Sequence, residues 1–351
     1  MRNLIFQSII LHLPNMSVEV KNITKLYGTQ RALDDVSFTV EPGQVVGFLG
    51  PNGAGKSTMM KIITCFLPQN SGTVSVHGFD VTADPLKVRQ RVGYLPEHNP
   101  LYHDMYVKEF LSFVAGIQFK EPIKQHSLGF IDFSNIDYED IISFFISRSS
   151  SKARIIEQRV KEMIDVTGLG SEQHKKIGAL SKGYRQRVGL AQAMIHNPSV
   201  LILDEPTTGL DPNQLVDIRQ LIKNIGKEKT VILSTHIMQE VEAICDRVVI
   251  INKGKIVADD KTSFLQQKSE SETIILVEFD KTISVEKLSA ISGIKKVLPV
   301  NDKTFKIIGP KGQDIRPMIF NFAVQNSLAV ITMQKEENSL ESVFRQLTSK
   351  K

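Results

Sequence analysis

Short apolar runs alternate along much of the chain with segments whose apolar residues recur at helical spacing. VEVKNIT and VSFTV, within residues 17–40, alternate apolar and polar positions, and Gln44–Leu49 is a continuous apolar run, so each predicts a strand. Arg154–Thr167 places its apolar residues on one helical face and is followed by Gly168, a residue type that commonly ends helices. Strands alternate with helices from residue 44 to residue 252, which indicates an α/β layered fold.

This periodicity is interrupted between about residues 117 and 152. The stretch contains Pro122, Gly129 and five of the eighteen phenylalanines of the chain, and it ends in the polar run Ser147–Lys152. We interpret residues 117–152 as an insertion that is partly ordered by its aromatic residues and has a flexible exit. The insertion is either a passive loop, which the serine-rich exit favours, or an element that alters coupling to a partner.

A second pattern begins near residue 263 and predicts a separate small domain. Its strands and helices follow the order βαββαβ, with a last helix over Leu340–Leu347. This order is typical of a ferredoxin-like α+β module. We therefore predict two domains, residues 16–262 and residues 263–351, which is the number that a chain of 351 residues favours.

The composition excludes several classes of protein. Apolar residues make up 41% and charged residues 23% of the chain, a balance that excludes a coiled coil or a wholly disordered chain. The net charge of +5 is too small to indicate a nucleic-acid partner, and we predict none. Cys65 and Cys245 are the only cysteines, which excludes a disulfide framework and favours a reducing, cytoplasmic compartment.

The N-terminal segment allows two interpretations. Leu4–Leu13 is apolar, but it is too short to span a membrane, and no run of about 20 apolar residues occurs in the chain. Arg2 before this stretch suits a signal peptide, whereas Pro14-Asn15 is not a small-residue cleavage site. We favour translation from Met16, with residues 1–15 as an upstream extension.

The strongest chemical signal is the glycine-rich segment after the strand Gln44–Leu49. It matches the pattern G-x-x-x-x-G-K-[ST] and consists of Gly50, Pro51, Asn52, Gly53, Ala54, Gly55, Lys56, Ser57 and Thr58. Its glycines allow consecutive backbone N–H groups to turn around phosphate oxygens, and the helix that follows adds its positive end. Lys56 is placed to reach the β- and γ-phosphates of a nucleotide, and the Ser57 hydroxyl is placed to bind Mg²⁺. A chance glycine-rich turn is the alternative, and the flanking strand and helix argue against it.

Two further apolar strands are followed by polar residues that suit metal binding, general-base catalysis or contact with a phosphate. Leu201–Leu203 leads into Asp204 and Glu205, and Val231–Ser234 is followed closely by His236. Asp204 is placed to hold Mg²⁺, and Glu205 is placed to orient or deprotonate an attacking water. His236 follows a strand end, where open α/β sheets bind ligands, and is a candidate contact for the γ-phosphate. Alone, the acidic pair is more typical of a strand that ends in solvent, but the upstream phosphate loop makes the catalytic interpretation stronger.

Two weaker signals remain open to ordinary interpretations. Ser181 and Gly183 form a Ser-x-Gly turn that opens a basic helix, where phosphate binds readily, although a simple N-cap is the more common use of such a serine. Tyr27 precedes a glycine and suits stacking on a nucleotide base. An ordinary strand aromatic is equally consistent with that position.

Together these segments resemble the ATP-binding subunits of ABC transporters over about residues 16–262, apart from the insertion. The matching motifs, in chain order, are the A-loop aromatic Tyr27, the Walker A loop Gly50–Thr58, the Q-loop position Glu97, the signature Leu180–Tyr184, the Walker B strand Leu201–Glu205, the D-loop Gly209–Pro212 and the switch histidine His236. Within the family, YLPEHNPLY and STHIMQEVEAICDRV are most similar to ABC-2 type subunits, in particular the gliding-motility-associated subunits of Bacteroidetes bacteria.

The resemblance implies a P-loop ABC ATPase cassette with a helical subdomain, which hydrolyses ATP with Mg²⁺. Glu205 is then the catalytic base, and His236 and Glu97 lie near the γ-phosphate. Ser57, Asp204 and Glu97 are the implied Mg²⁺ contacts.

The resemblance also implies partners. Two copies, or one copy and a paralogous ATPase, pair head to tail, so that Ser181, Gly183 and Asp211 of one chain serve the nucleotide of the other. Closure with ATP drives an exporting ABC-2 type permease, which holds this cytoplasmic subunit at the inner face of the cytoplasmic membrane. The permease is expected to dock near Glu97 and the stretch 98–115.

The chain departs from the family pattern at two motifs. Glu97 stands where the family has glutamine, and the signature reads LSKGY, with Lys182 in place of a glycine and Tyr184 in place of the glutamine. A carboxylate offers no amide donor, although it still contacts Mg²⁺ or water. Two other functions remain alternatives: a soluble ABC ATPase of translation or DNA repair, which the single cassette disfavours, and a non-hydrolysing ATP-gated scaffold, which Glu205 and His236 disfavour.

Overall fold

The continuous apolar runs of the sequence form the central strands of a parallel sheet, where both faces are covered. The computed structural model describes residues 16–119, 138–264, 272–310, 312–336, 344 and 347–348. The chain divides into two compact units, Met1–Val257 and Ala258–Lys351.

The first part of the chain alternates strands and helices as the pattern predicts. In chain order the elements are β1 (Val18–Tyr27), β2 (Gln30–Val40), β3 (Val45–Leu49), α1 (Lys56–Ile63), β4 (Ser71–Val76), β5 (Phe79–Asp80), α2 (Pro85–Arg89), β6 (Val92–Leu95), α3 (Val107–Gln118), α4 (Tyr138–Thr167), α5 (Lys182–Met194), β7 (Val200–Asp204), α6 (Pro212–Gly226), β8 (Thr230–Thr235), α7 (Met238–Ile244), β9 (Arg247–Asn252) and β10 (Lys255–Lys261). A six-stranded sheet has the order β10-β9-β3-β8-β7-β6, and an antiparallel sheet has the order β2-β1-β4-β5.

The parallel register gathers the chemistry-bearing residues at one sheet edge. β3 pairs with β8 and β8 with β7, all parallel, so that Leu49 lies opposite Thr235 and Asp204 opposite Ser234. All residues of these three strands are buried, as expected of a sheet covered on both faces. The segments that follow the three strands therefore emerge side by side.

Helix α1 lies between the two sheets and fixes the position of the loop that precedes it. The helix contacts β2 and β4 on one side and β7 and β8 on the other. Its side chains Met59, Met60, Ile62 and Ile63 are fully buried and pack with strand residues such as Phe48 in one apolar core. The glycine-rich loop is therefore anchored at both ends, by β3 and by α1.

The expectation of a flexible exit from the insertion is wrong. The polar run Ser147–Lys152 lies inside α4, which begins at Tyr138 rather than at Arg154. Neither glycine nor proline occurs between Tyr138 and Thr167, so nothing in this stretch breaks a helix. The predicted end of the helix is confirmed, because Gly168 follows it with φ of +66°. The earlier part of the insertion, 120–137, lies outside the described residues.

The described residues of the second unit include a four-stranded antiparallel sheet with helices between its strands. Its elements are β11 (Glu272–Phe279), α8 (Val285–Ser289), β12 (Lys296–Pro299), β13 (Thr304–Pro310), α9 (Arg316–Gln325) and β14 (Val330–Glu336). The sheet order is β12-β13-β11-β14, which is the βαββαβ arrangement that the sequence predicts. The predicted helix Leu340–Leu347 lies mostly outside the described residues.

Within the described ranges, every helix is too short or too polar to cross a membrane.

Candidate functional site

A cavity of about 610 Å³ opens where β3, β7 and β8 end. It is lined by Tyr27, Gln30, Ala32, Asn52, Gly53, Gly55, Lys56, Ser57, Thr58, Glu97, Glu205, Thr208 and His236. The structure thus brings together residues that lie more than 200 positions apart in the chain, including most of those that the motifs single out. The sequence motifs do not include three of the lining residues, Gln30, Ala32 and Thr208.

The glycine-rich loop has a shape that other residue types would disturb. Gly55 is the N-cap residue of α1 and has φ of +110°, a left-handed conformation that L side chains rarely adopt. A Cβ atom on Gly55 would lie 2.5 Å from the carbonyl oxygen of Ala32, and one on Gly50 would lie 2.5 Å from that of Ile251. The loop therefore packs its backbone directly against neighbouring backbone, and the start of α1 points its positive end toward the cavity.

Lys56 provides a buried positive charge at the cavity wall. Its side chain is 6% exposed, and its Nζ donates to the carbonyl oxygens of Gly50 at 2.8 Å and Pro51 at 3.3 Å. The same Nζ lies 3.5 Å from Oε1 of Glu205. A buried ammonium held by carbonyls and a carboxylate is in place to attract phosphate oxygens.

A hydroxyl and a carboxylate meet beside the loop. Ser57 Oγ donates to Oδ1 of Asp204 at 3.1 Å, and Ser234 Oγ donates to the same oxygen. Asp204 is buried, and Ser57 and Glu97 line the cavity. In the part of the chain that the structure describes, no group of three or more His, Cys, Asp or Glu side chains could hold a metal ion. These oxygen donors fit Mg²⁺, which takes one or two protein ligands and completes its shell with phosphates and water.

Glu205 is held from three sides. His236 Nδ1 donates to its two oxygens at 2.9 and 3.0 Å, and Thr208 Oγ1 donates to Oε2 at 3.2 Å. The backbone of Glu205 is left-handed, with φ of +51°, and its N–H donates to the carbonyl oxygen of Ser234 at 3.0 Å. A strained backbone that aims a nearly buried carboxylate into a cavity is typical of a functional residue. Because Nδ1 of His236 contacts Glu205, Nε2 is the nitrogen that remains for a ligand.

The structure does not bring Ser181, Gly183 and Asp211 to this cavity. Ser181 is the N-cap of α5, where its Oγ accepts from the Tyr184 N–H at 3.3 Å. Asp211 caps α6 and accepts from the Gln214 N–H at 2.9 Å. A Cβ on Gly183 would lie 2.7 Å from the Gln214 side chain, so the starts of the two helices adjoin. None of the three residues lines the cavity.

Comparison with known proteins matches this arrangement to one family. The profile of the family described as ABC transporter matches residues 33–208. YdbJ of Bacillus subtilis, an uncharacterized ABC transporter ATP-binding protein, is 31% identical over 334 residues, 95% of each chain. BcrA of Bacillus licheniformis, a bacitracin transport ATP-binding protein, is 28% identical over 335 residues, 94% of this chain and 96% of the other.

A solved structure shows the same likeness. The bacterial ABC transporter cassette MJ0796, solved as a dimer, is 25% identical with a TM-score of 0.55, over 70% of this chain and 98% of the other. The segment that matches the family profile contains both the loop Gly50–Thr58 and the pair Asp204 and Glu205.

Proposed function

The chain belongs to the ABC transporter family as an ATP-binding subunit with ATPase activity, and we propose that it powers export through a separate ABC-2 type permease. The cavity that groups Lys56, Ser57, Glu205 and His236 around one space supports the ATP-hydrolysing part of this proposal. The similarity of its motifs to gliding-motility-associated subunits extends the proposal to a transporter of that type. The subunit then acts at the cytoplasmic face of the membrane, where it is bound to the permease.

ATP is proposed to lie along the cavity from Tyr27 to Glu205. Tyr27 is 49% exposed at the end of β1, so its ring is available to stack on the adenine. Lys56 and the N–H groups at the start of α1 bind the β- and γ-phosphates. The Ser57 hydroxyl and Asp204 hold Mg²⁺ with Glu97 nearby, and the ion neutralises phosphate charge when it is bound.

Hydrolysis is proposed to use Glu205 as the general base. A water at the γ-phosphorus gives a proton to the Glu205 carboxylate while its oxygen forms a bond to phosphorus. The bond from phosphorus to the β–γ bridging oxygen breaks, and ADP leaves with that electron pair. His236 orients the carboxylate through Nδ1 and contacts the γ-phosphate through Nε2.

The active unit is proposed to be a head-to-tail dimer of two copies, or of this chain and a paralogous ATPase. Ser181, Gly183 and Asp211 lie outside the cavity of their own chain, and the helix start at Ser181 suits phosphate. In the dimer these residues reach the nucleotide held by the other copy. The dimeric structure of the MJ0796 cassette is consistent with this arrangement.

The permease is proposed to dock in a second cavity near α3. This cavity of about 400 Å³ is lined in part by Phe66, Tyr94, Gln192 and His196. Phe66 is 75% exposed, and three buried polar atoms of the lining residues have no hydrogen-bond partner: Tyr94 Oη, Gln192 Oε1 and His196 Nδ1. An apolar rim over unsatisfied polar atoms suits a helix end that brings its own hydrogen-bond donors.

Replacing Phe66 with aspartate tests this docking surface. We expect F66D to lose most of the permease that co-purifies with the chain, because the substitution puts a charge at the rim of an apolar contact. ATP turnover of the isolated subunit should stay within about twofold, since an exposed surface substitution rarely disturbs a fold. Val216→Asp on α6, which replaces a residue that is 63% exposed, is the matched control. Equal recovery of permease with both variants would contradict the docking proposal.

The transporter assignment itself is tested by capture of partners from membranes. Membranes from cells that produce the tagged Glu205→Gln form are solubilised gently in the presence of ATP. The proteins that co-purify with the tagged chain are then identified. A polytopic membrane protein with about six apolar spans is the expected partner. A second, different ATPase in the complex would identify a heterodimer. Recovery of ribosomes or nucleic-acid factors alone would overturn the transporter proposal.

A further inference from the structure

A fully buried carboxylate with no part in the proposed reaction lies close to the site. Glu240 belongs to α7 and is 0% exposed. Its Oε1 accepts a hydrogen bond from the Thr207 hydroxyl, and its Oε2 accepts one from the Thr235 hydroxyl at 2.7 Å. Burial of a carboxylate is unfavourable unless its oxygens are paired. Here each oxygen has a hydroxyl donor.

The two threonines belong to the two segments that carry Glu205 and His236. Thr207 lies two residues after Glu205, and Thr235 directly precedes His236. Thr235 Oγ1 also accepts the backbone N–H of Ile237 at 3.1 Å. One carboxylate therefore connects the loop after β7 to the loop after β8.

These loops need such a connection to hold their geometry. Glu205 has a left-handed backbone, which persists only where the surroundings enforce it. The His236 side chain is 42% exposed, so packing alone does not fix its ring. The contact of 2.9 Å between His236 Nδ1 and Glu205 Oε2 therefore depends on the backbone on either side of it.

We propose that Glu240 is a positioning residue, which holds Glu205 and His236 in register for ATP hydrolysis through Thr207 and Thr235. The proposal rests on the roles proposed above for Glu205 and His236. Because Glu240 lines no part of the cavity, it acts through the two loops and not on the nucleotide.

Substitutions at Glu240 separate positioning from a purely structural role. We expect E240A to lower kcat for ATP about tenfold or more while KM changes by less than about twofold, because misplaced catalytic groups affect turnover more than binding. E240Q should stay within about threefold of the parent kcat, since its amide accepts one hydroxyl and donates to the other. Glu242→Ala, at an exposed position on the same helix, is the matched control and should leave kcat unchanged.

A second variant keeps the test informative if E240A does not fold. T207V removes one hydroxyl with little change of shape, and we expect it to lower kcat in the same direction. The double variant E240A/T207V should lose little more than E240A alone, because residues that act through one contact are not additive.

The outcomes distinguish this inference from the proposed function. Folded E240A and T207V with unchanged kcat, or with equal loss in E240Q and E240A, would overturn the positioning role. If Glu205→Gln keeps its activity, the proposed role of Glu205 as general base fails, and the positioning role loses its premise. If Glu205→Gln is inactive and E240A is fully active, only the positioning role fails.

Discussion

Replacing Glu205 with glutamine is expected to lower ATP turnover by about three orders of magnitude, within the range measured for loss of a general base. Glutamine has nearly the same shape as glutamate, so we expect its side chain to keep hydrogen bonds with His236 and Thr208. An amide does not accept the proton of the attacking water, and the water is then a poor nucleophile. ATP binding should be retained, because Lys56 keeps its contacts with the loop carbonyls.

Steady-state phosphate release and equilibrium nucleotide binding, measured on the same preparation, check this result. Glu228→Gln, at an exposed position just after α6, is the control and should turn over ATP at the parent rate. If Glu205→Gln releases phosphate as fast as the parent, Glu205 is not the base. If the variant also loses nucleotide binding, its low turnover comes from loss of the buried ion pair between Glu205 and Lys56. In that pair Glu205 Oε1 and Lys56 Nζ lie 3.5 Å apart.

The parts of the fold that the sequence predicts are those with a local cause. Continuous apolar runs such as Val200–Leu203 become central strands because both faces of the sheet are covered. The glycine-rich loop is predictable because its glycines, its lysine and its flanking elements are adjacent in the chain. The order of elements in the second unit is predictable for the same reason, since short strands and helices alternate cleanly there.

The features that the sequence does not predict depend on contacts between distant segments. Glu240 is one of two acidic residues in a short helix, and its sequence context does not distinguish it. Its role is indicated only by the hydrogen bonds from Thr207 and Thr235, which the fold brings to it. Thr208 lies three residues after Glu205 in the sequence. Its hydroxyl reaches the Glu205 carboxylate only because the chain turns between the two residues. The course of α4 through Ser147–Lys152 is set by the absence of helix breakers, which a serine-rich composition conceals.

A hybrid of two defective chains is expected to recover about half of the parent activity, because only one of the two sites of such a dimer is intact. One chain carries Lys56→Ala and the other Ser181→Arg, and dimers that contain both are isolated with two different tags. Each variant alone is expected to be inactive. Lys56→Ala removes the ammonium from both cavities, and Ser181→Arg puts bulk at both positions where the partner would bind phosphate. The hybrid keeps one cavity with Lys56 that faces an unchanged Ser181.

The matched control is a hybrid of Lys56→Ala with Glu205→Gln, which should stay inactive. Lys56 and Glu205 lie 3.5 Å apart in one chain and line one cavity, so every site of this hybrid lacks one of the two groups. Phosphate release by both hybrids provides the measurement. Recovery in both would mean that the groups are exchanged between chains, against the geometry of the cavity. Recovery in neither hybrid would mean that Ser181 serves its own chain and not the site of the partner. Misfolding would not explain that result, because Ser181 is exposed at a helix start, where loss of a cap costs only about 1 kcal/mol.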